Sequence, residues 1–122
     1  MALILVVDDD PQLRLLVRKN LVSVGHRVVE AANGVNGLEQ YMEFHPDIVV
    51  TDIIMPGKGG LALLTEIKKL KPDQKVLTIS GGGKDGRLSF LNTAASIPGV
   101  MTLAKPFSRE EFLGVISSML EV

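Results

Sequence analysis

Five short apolar runs alternate with stretches of helical periodicity, and that alternation leaves very few architectures open to the chain. The runs are Leu3-Ile4-Leu5-Val6-Val7, Arg27-Val28-Val29-Glu30-Ala31, Ile48-Val49-Val50-Thr51, Lys75-Val76-Leu77-Thr78-Ile79 and Val100-Met101-Thr102-Leu103. Each has the length and the β-branched content of a strand. Between the first two, Leu13, Leu16, Val17, Leu21 and Val24 recur at helical spacing. Asp10-Pro11 opens that helix as a cap and a first-turn proline, and Gly25 ends it. Residues 33–44 predict a second helix, with Leu38, Tyr41 and Met42 on one side and two interior glycines, Gly34 and Gly37. A third is expected from about 60 to 70, with Leu61, Leu64, Ile67 and Lys68 along one stripe and Lys71-Pro72 as its stop. A weak fourth is expected over about 85–96. The capping box Ser108-Arg109-Glu110-Glu111 starts the last, which runs to about Leu120. Strands separated by helices pair in parallel, with helices over both faces. The expected fold is a three-layer, doubly wound α/β sandwich with a five-stranded sheet and five helices.

Composition narrows the function classes. The chain has 122 residues, of which 46% are apolar, one domain's worth of core spanning residues 1–122. Thirteen basic and fourteen acidic residues give a net charge of -1, which argues against binding nucleic acid through bulk phosphate attraction. With no cysteine, disulfide scaffolds and thiolate metal sites are excluded. No apolar run approaches the roughly 20 residues of a membrane span. The first apolar run lacks a basic leader and meets aspartate after Val7, unlike a signal peptide. A soluble, cytoplasmic domain is expected.

Two apolar runs stop on carboxylates: the first on Asp8 and Asp9, the third on Asp52. In open parallel sheets the functional rim lies beyond the carboxyl ends of the strands. Ser80 ends the fourth run, and Lys105 follows the fifth. If the first and third runs are neighbours, three carboxylates converge. Their mutual repulsion is ~1–4 kcal/mol per pair at about 4 Å, and a hard divalent cation held by oxygen would offset it. An aspartate can also be a nucleophile toward phosphorus. Phosphoryl transfer then needs positioning and charge cancellation, which a cation, a lysine and a hydroxyl supply. Taken singly, each of these residues has a plainer reading. Asp10 suffices as the helix cap, Asp52 could be a turn residue, Lys105 a solvated lysine and Ser80 a loop serine. Gly81-Gly82-Gly83-Lys84 is followed by Asp85 where a P-loop needs Ser or Thr, so it reads as a loop. His26 and His45 have no ligand-like spacing and read as surface or structural. Met55, Met101 and Met119 read as core.

Taken together, Val6-Val7-Asp8-Asp9, Asp52-Ile53-Ile54-Met55-Pro56-Gly57, Ser80-Gly81 and Lys105-Pro106-Phe107 resemble the receiver domain of bacterial two-component response regulators. The resemblance spans nearly the whole chain. It implies a flavodoxin-like sheet of order 2-1-3-4-5, with Asp52 as phosphoacceptor. It implies Mg2+ held by Asp8, Asp9, Asp52 and the backbone carbonyl of Ile54, with Asp8 acting largely through water. Ser80 and Lys105 then contact the phosphoryl group, and the Lys105-Pro106 bond is cis. The implied partners are a histidine kinase or phosphotransfer protein and an output domain or protein, with a homodimer through the fourth and fifth helices a further option. Such a domain catalyses only its own modification and is not an enzyme in the usual sense. Two alternatives compete. One is an interaction domain of the same fold that is never phosphorylated, although such domains lose pocket residues retained here. The other is an aspartyl-nucleophile phosphatase, although Ile54 stands where a second acid would be needed. Two features depart from the family. Thr102 replaces the usual inward-swinging aromatic, and Ile97-Pro98-Gly99 replaces a short Gly-Ala turn. Both lie on the output side.

Overall fold

The computed structural model describes residues 1–53, 59–80 and 97–121. Five strands, β1 (Leu3–Val7), β2 (Arg27–Ala31), β3 (Ile48–Asp52), β4 (Lys75–Ser80) and β5 (Val100–Ala104), form one parallel sheet of order β2-β1-β3-β4-β5. Among the described residues there are four helices: α1 (Pro11–Ser23), α2 (Gly34–Phe44), α3 (Gly60–Leu70) and α4 (Arg109–Leu120). The helix expected over 85–96, the loop Gly81-Gly82-Gly83, Ile54 and Met55 fall outside the described residues.

Side chains alternate across the sheet and build a core on each face. Leu5, Val7, Val49 and Val76 pack with Tyr41 of α2 and with Leu63, Leu64 and Ile67 of α3. Ile4, Val6, Ile48, Val50, Leu77 and Ile79 pack on the other face with Val17 and Leu21 of α1 and with Phe112, Ile116 and Met119 of α4. The central strands β1 and β3 are covered on both sides, which is why they read as unbroken apolar runs. Gly37 has a packing reason: a Cβ there would lie 3.1 Å from both Val7 and Leu63 side chains, so α2 approaches the sheet closely. Asp10 caps α1 by accepting from the amide of Gln12, and the Ser108–Glu111 capping box of α4 is formed in both directions.

Several residues expected in the core are on the surface. Leu16, Val24, Met42 and Met101 are all exposed. The buried stripe of α1 is narrow and centred on Val17, Asn20 and Leu21, so Leu16, a quarter-turn away, misses it. Val24 lies past the last turn of α1, as its C-cap. On α2, Tyr41 takes the inward position and Met42, next to it, turns outward. Met101 belongs to β5, an edge strand less covered than its neighbours. The expectation for Met119 holds.

The Ile97-Pro98-Gly99 segment is tied down by Lys68. Its ammonium donates to the carbonyls of Pro72, Gln74 and Pro98 at 3.0, 2.7 and 2.6 Å. Burial lowers the pKa of Lys68, yet three carbonyl oxygens satisfy the charge. His26 is structural: its Nδ1 accepts from the amide of Ala2. His45 ends α2 in the left-handed conformation, with φ of 48°.

Candidate functional site

Strand register assembles the rim. Val7 pairs with Thr51, so the next residues, Asp8 and Asp52, come level at the ends of neighbouring strands. They continue the Ile4-Val6 and Ile48-Val50 rows toward the α1 and α4 side. Asp52 in turn pairs with Ile79, and Ser80 follows. Ser80 pairs with Ala104, and the amide of Lys105 extends that ladder by donating to the Ser80 carbonyl at 2.7 Å.

The carboxylates of Asp8, Asp9 and Asp52 each offer an oxygen within 4.8 Å of the others. Asp8 and Asp52 are buried, at 3% and 8% exposure, while Asp9 is exposed. The Lys105 ammonium stands 3.1 Å from Asp52 Oδ2 and 3.8 Å from Asp8 Oδ2. One lysine thus faces three acids, and the excess negative charge is dense. Burial holds the Asp8 carboxyl above its ordinary pKa. The Asp10 amide and Lys105 oppose that shift, while Asp52 and Asp9 reinforce it. A carboxylate cluster in this electrostatic state suits a hard cation with oxygen ligands, and the donor set fits Mg2+.

Ser80 adds a hydroxyl to the same rim. Its hydroxyl is 1% exposed and, among the described residues, is the one buried side-chain polar atom without a hydrogen-bond partner. Such a group costs about 1–3 kcal/mol unless something bonds it. The Lys105-Pro106 peptide is cis.

Three supports carry no motif in the sequence. Gly60, the first residue of α3, packs its Cα against Asp52: a Cβ there would lie 1.7 Å from the Asp52 backbone oxygen. The Thr51 hydroxyl donates to that same oxygen at 3.0 Å. On the other side of the pocket, Arg14 Nη1 donates to the Asp8 carbonyl at 2.7 Å. Helical spacing places Arg14 beside Leu21 at the edge of the core stripe of α1, half-buried, but spacing does not say what its cation meets. Its role becomes visible only with the strand end in place.

The sequence matches the response regulator receiver domain family over residues 4–117. It is 37% identical over 122 residues to the sensor kinase CckA of Brucella abortus, covering 98% of this chain but 13% of that protein. It is 34% identical over 118 residues to the chemotaxis protein CheY of Bacillus subtilis, covering 96% of each. Among solved structures, the response regulator TrrA of Thermotoga maritima, in complex with Mg(2+)-BeF, superposes with a TM-score of 0.85 at 30% identity, covering 98% of this chain and 100% of that one. A pocket built at the strand ends by register, a sheet of order 2-1-3-4-5 and a family match over nearly the full length converge, and the chain belongs to the response regulator receiver domains.

Proposed function

We propose that this receiver domain takes a phosphoryl group on Asp52. The supporting observation is the convergence of three carboxylates, one lysine and one unpartnered hydroxyl at the strand ends. Asp52 Oδ would attack the phosphorus of a phosphohistidine on a histidine kinase or phosphotransfer protein. The new O–P bond forms as the P–N bond breaks, and the imidazole leaves. Asp8, Asp9 and Asp52 would hold Mg2+, which supplies charge neutralisation on the phosphoryl oxygens when bound. The Ile54 carbonyl is the further metal ligand we assign from the family pattern. Lys105, already against Asp52, pairs with the incoming group, and Ser80 donates its orphaned hydrogen bond to it. Hydrolysis of the acyl phosphate resets the domain. In this reading residues 1–122 act as a single domain that modifies only itself. It works in the cytoplasm and passes its state to an output domain or protein; homodimers through the fourth and fifth helices of the family pattern are one such route. Among the described residues no helix is long and apolar enough to cross a membrane.

Mass spectrometry after treatment with acetyl phosphate tests the assignment. One phosphoryl group should be incorporated, only with Mg2+ present, and Asp52→Asn should abolish it. Incorporation that survives the substitution or chelation would refute it.

A further inference from the structure

We infer that Arg14 is a positioning residue for the metal-binding loop, and that Glu30 orients it; this rests on the assignment of Asp8 and Asp9 as metal ligands. The two acids differ in how they are held. Asp8 is buried, and its Oδ1 accepts from the Asp10 amide at 2.8 Å. Asp9 is exposed, and among the described residues no hydrogen bond to its carboxylate is seen. Its place is therefore set by its backbone, starting with the Asp8–Asp9 peptide. That peptide lies past the last β1–β3 pair, Val7 with Thr51, so the ladder no longer fixes it on that side. On the β2 side the Asp8 amide donates to the Ala31 carbonyl at 3.2 Å, and Arg14 adds the next hold on the chain, through Nη1 on the Asp8 carbonyl.

The guanidinium is itself fixed from a second direction. Arg14 Nε meets Glu30 Oε1 at 3.3 Å, and Arg18 Nη1 holds the other oxygen of Glu30 at 2.7 Å. Glu30 sits on β2, which pairs with β1. The planar fork of arginine thus spans two elements, one donor on a carboxylate and one on a carbonyl, a geometry lysine cannot reproduce. Arg14 is mostly covered, with its side chain 19% exposed, whereas Arg18 is 48% exposed and touches only Glu30 in this chain of contacts. Partners that orient metal ligands from behind are worth roughly 10–100-fold in metal affinity.

Arg14→Gln, Arg14→Lys and Arg18→Gln, titrated with Mg2+ by calorimetry, separate positioning from an ordinary surface ion pair. Arg14→Gln should weaken Mg2+ binding about tenfold. Arg14→Lys should show most of that loss, and Arg18→Gln should stay within about twofold of wild type. Without metal, amide hydrogen exchange at Asp9 and Asp10 should quicken in Arg14→Gln and not in Arg18→Gln, at similar melting temperatures. Wild-type affinity in Arg14→Gln, full retention by Arg14→Lys, or equal losses at Arg14 and Arg18 would each overturn the inference. A wild-type protein that binds Mg2+ through this arginine but takes no phosphoryl group would refute the phosphoacceptor assignment and keep the role of Arg14. A wild type that binds no Mg2+ would overturn both.

Discussion

Gly60→Ala and Gly114→Ala form a matched pair, because the same change meets opposite surroundings. Both glycines are in helices, where alanine is favoured by about 0.5–1 kcal/mol. At Gly114, exposed on α4, a new Cβ meets nothing within 4 Å. That variant should gain roughly 0.5–1 kcal/mol, a rise of a few degrees in Tm. At Gly60 the Cβ would sit 1.7 Å from the backbone oxygen of Asp52, 2.7 Å from its carbonyl carbon and 2.8 Å from the Cα of Ile53. A carbon–oxygen contact needs about 3.3 Å, so α3 and the end of β3 must separate by roughly 1.6 Å. Every colliding atom is backbone, so no rotamer change relieves the clash. Overpacking of this kind costs about 1–3 kcal/mol, outweighing the helix preference. The displaced residue is the proposed phosphoacceptor, and a misplacement near 1 Å lowers rate by roughly 10²-fold. Urea denaturation gives the stabilities, and mass spectrometry after acetyl phosphate treatment gives the rates. A Gly60→Ala protein as stable as wild type would refute the packing argument. One that is destabilised yet phosphorylated at the wild-type rate while folded would refute the link from Gly60 to the site.

Other substitutions probe the remaining groups. Ser80→Ala removes a buried hydroxyl without a partner, so it should stabilise the unphosphorylated protein by about 1 kcal/mol while slowing phosphorylation roughly tenfold; a loss of stability on denaturation would contradict this. Asp8 binds its proton more tightly in the folded chain than in the unfolded one, where 3.8 applies, because burial disfavours the charge. The folded state therefore holds more protons in the window above that value, and metal-free stability should fall as pH rises through it. Mg2+ binding should weaken as pH falls through the same window, since the cation competes with the proton; Mg2+ titrations across pH that stay flat in wild type would refute this. Lys68→Met removes three carbonyl contacts far from the carboxylates. It should cost about 1.5–3 kcal/mol and leave the phosphorylation rate unchanged; equal rate and stability losses would place Lys68 in the site's support.

The strands were legible because burial on both faces leaves little room for polar residues in β1, β3 and β4. The carboxylates were legible for the complementary reason: Asp8 and Asp52 interrupt apolar runs at the point where the sheet ends. Helix faces were legible only in part. Spacing finds the stripe of α1 but not its width, so Leu16 was expected inside beside Val17 and is not. Gly60 and Arg14 were illegible for a stronger reason. Each acts on the backbone of a distant segment, Asp52 in one case and Asp8 in the other, and a contact to a backbone leaves no pattern in side-chain type.

If Asp52 takes the phosphoryl group as proposed, the geometry of the pocket also sets how large a signal phosphorylation can deliver. Taking a two-state equilibrium from 1:99 to 99:1 needs about 5.5 kcal/mol of differential stabilisation. Lys105 contributes only part of a charge-assisted hydrogen bond to that difference, because it already contacts Asp52 at 3.1 Å before any phosphoryl group arrives. Ser80 contributes more than a typical serine, because its hydroxyl starts unpaired, and satisfying it recovers about 1–3 kcal/mol. Thr102, half-buried on β5 and in register with Thr78, has no ring to lock inward, and the Thr78 hydroxyl is already engaged with the Met101 carbonyl. The pocket alone therefore supplies about 2–4 kcal/mol, a shift of roughly 30–1,000-fold, and an output partner must supply the rest by binding the shifted state. Phosphorylation should accordingly tighten partner binding within that range, while NMR of the isolated domain should show β5 moving between two environments rather than fully converting. Complete conversion of β5 in the isolated phosphorylated domain would refute this account of the switch.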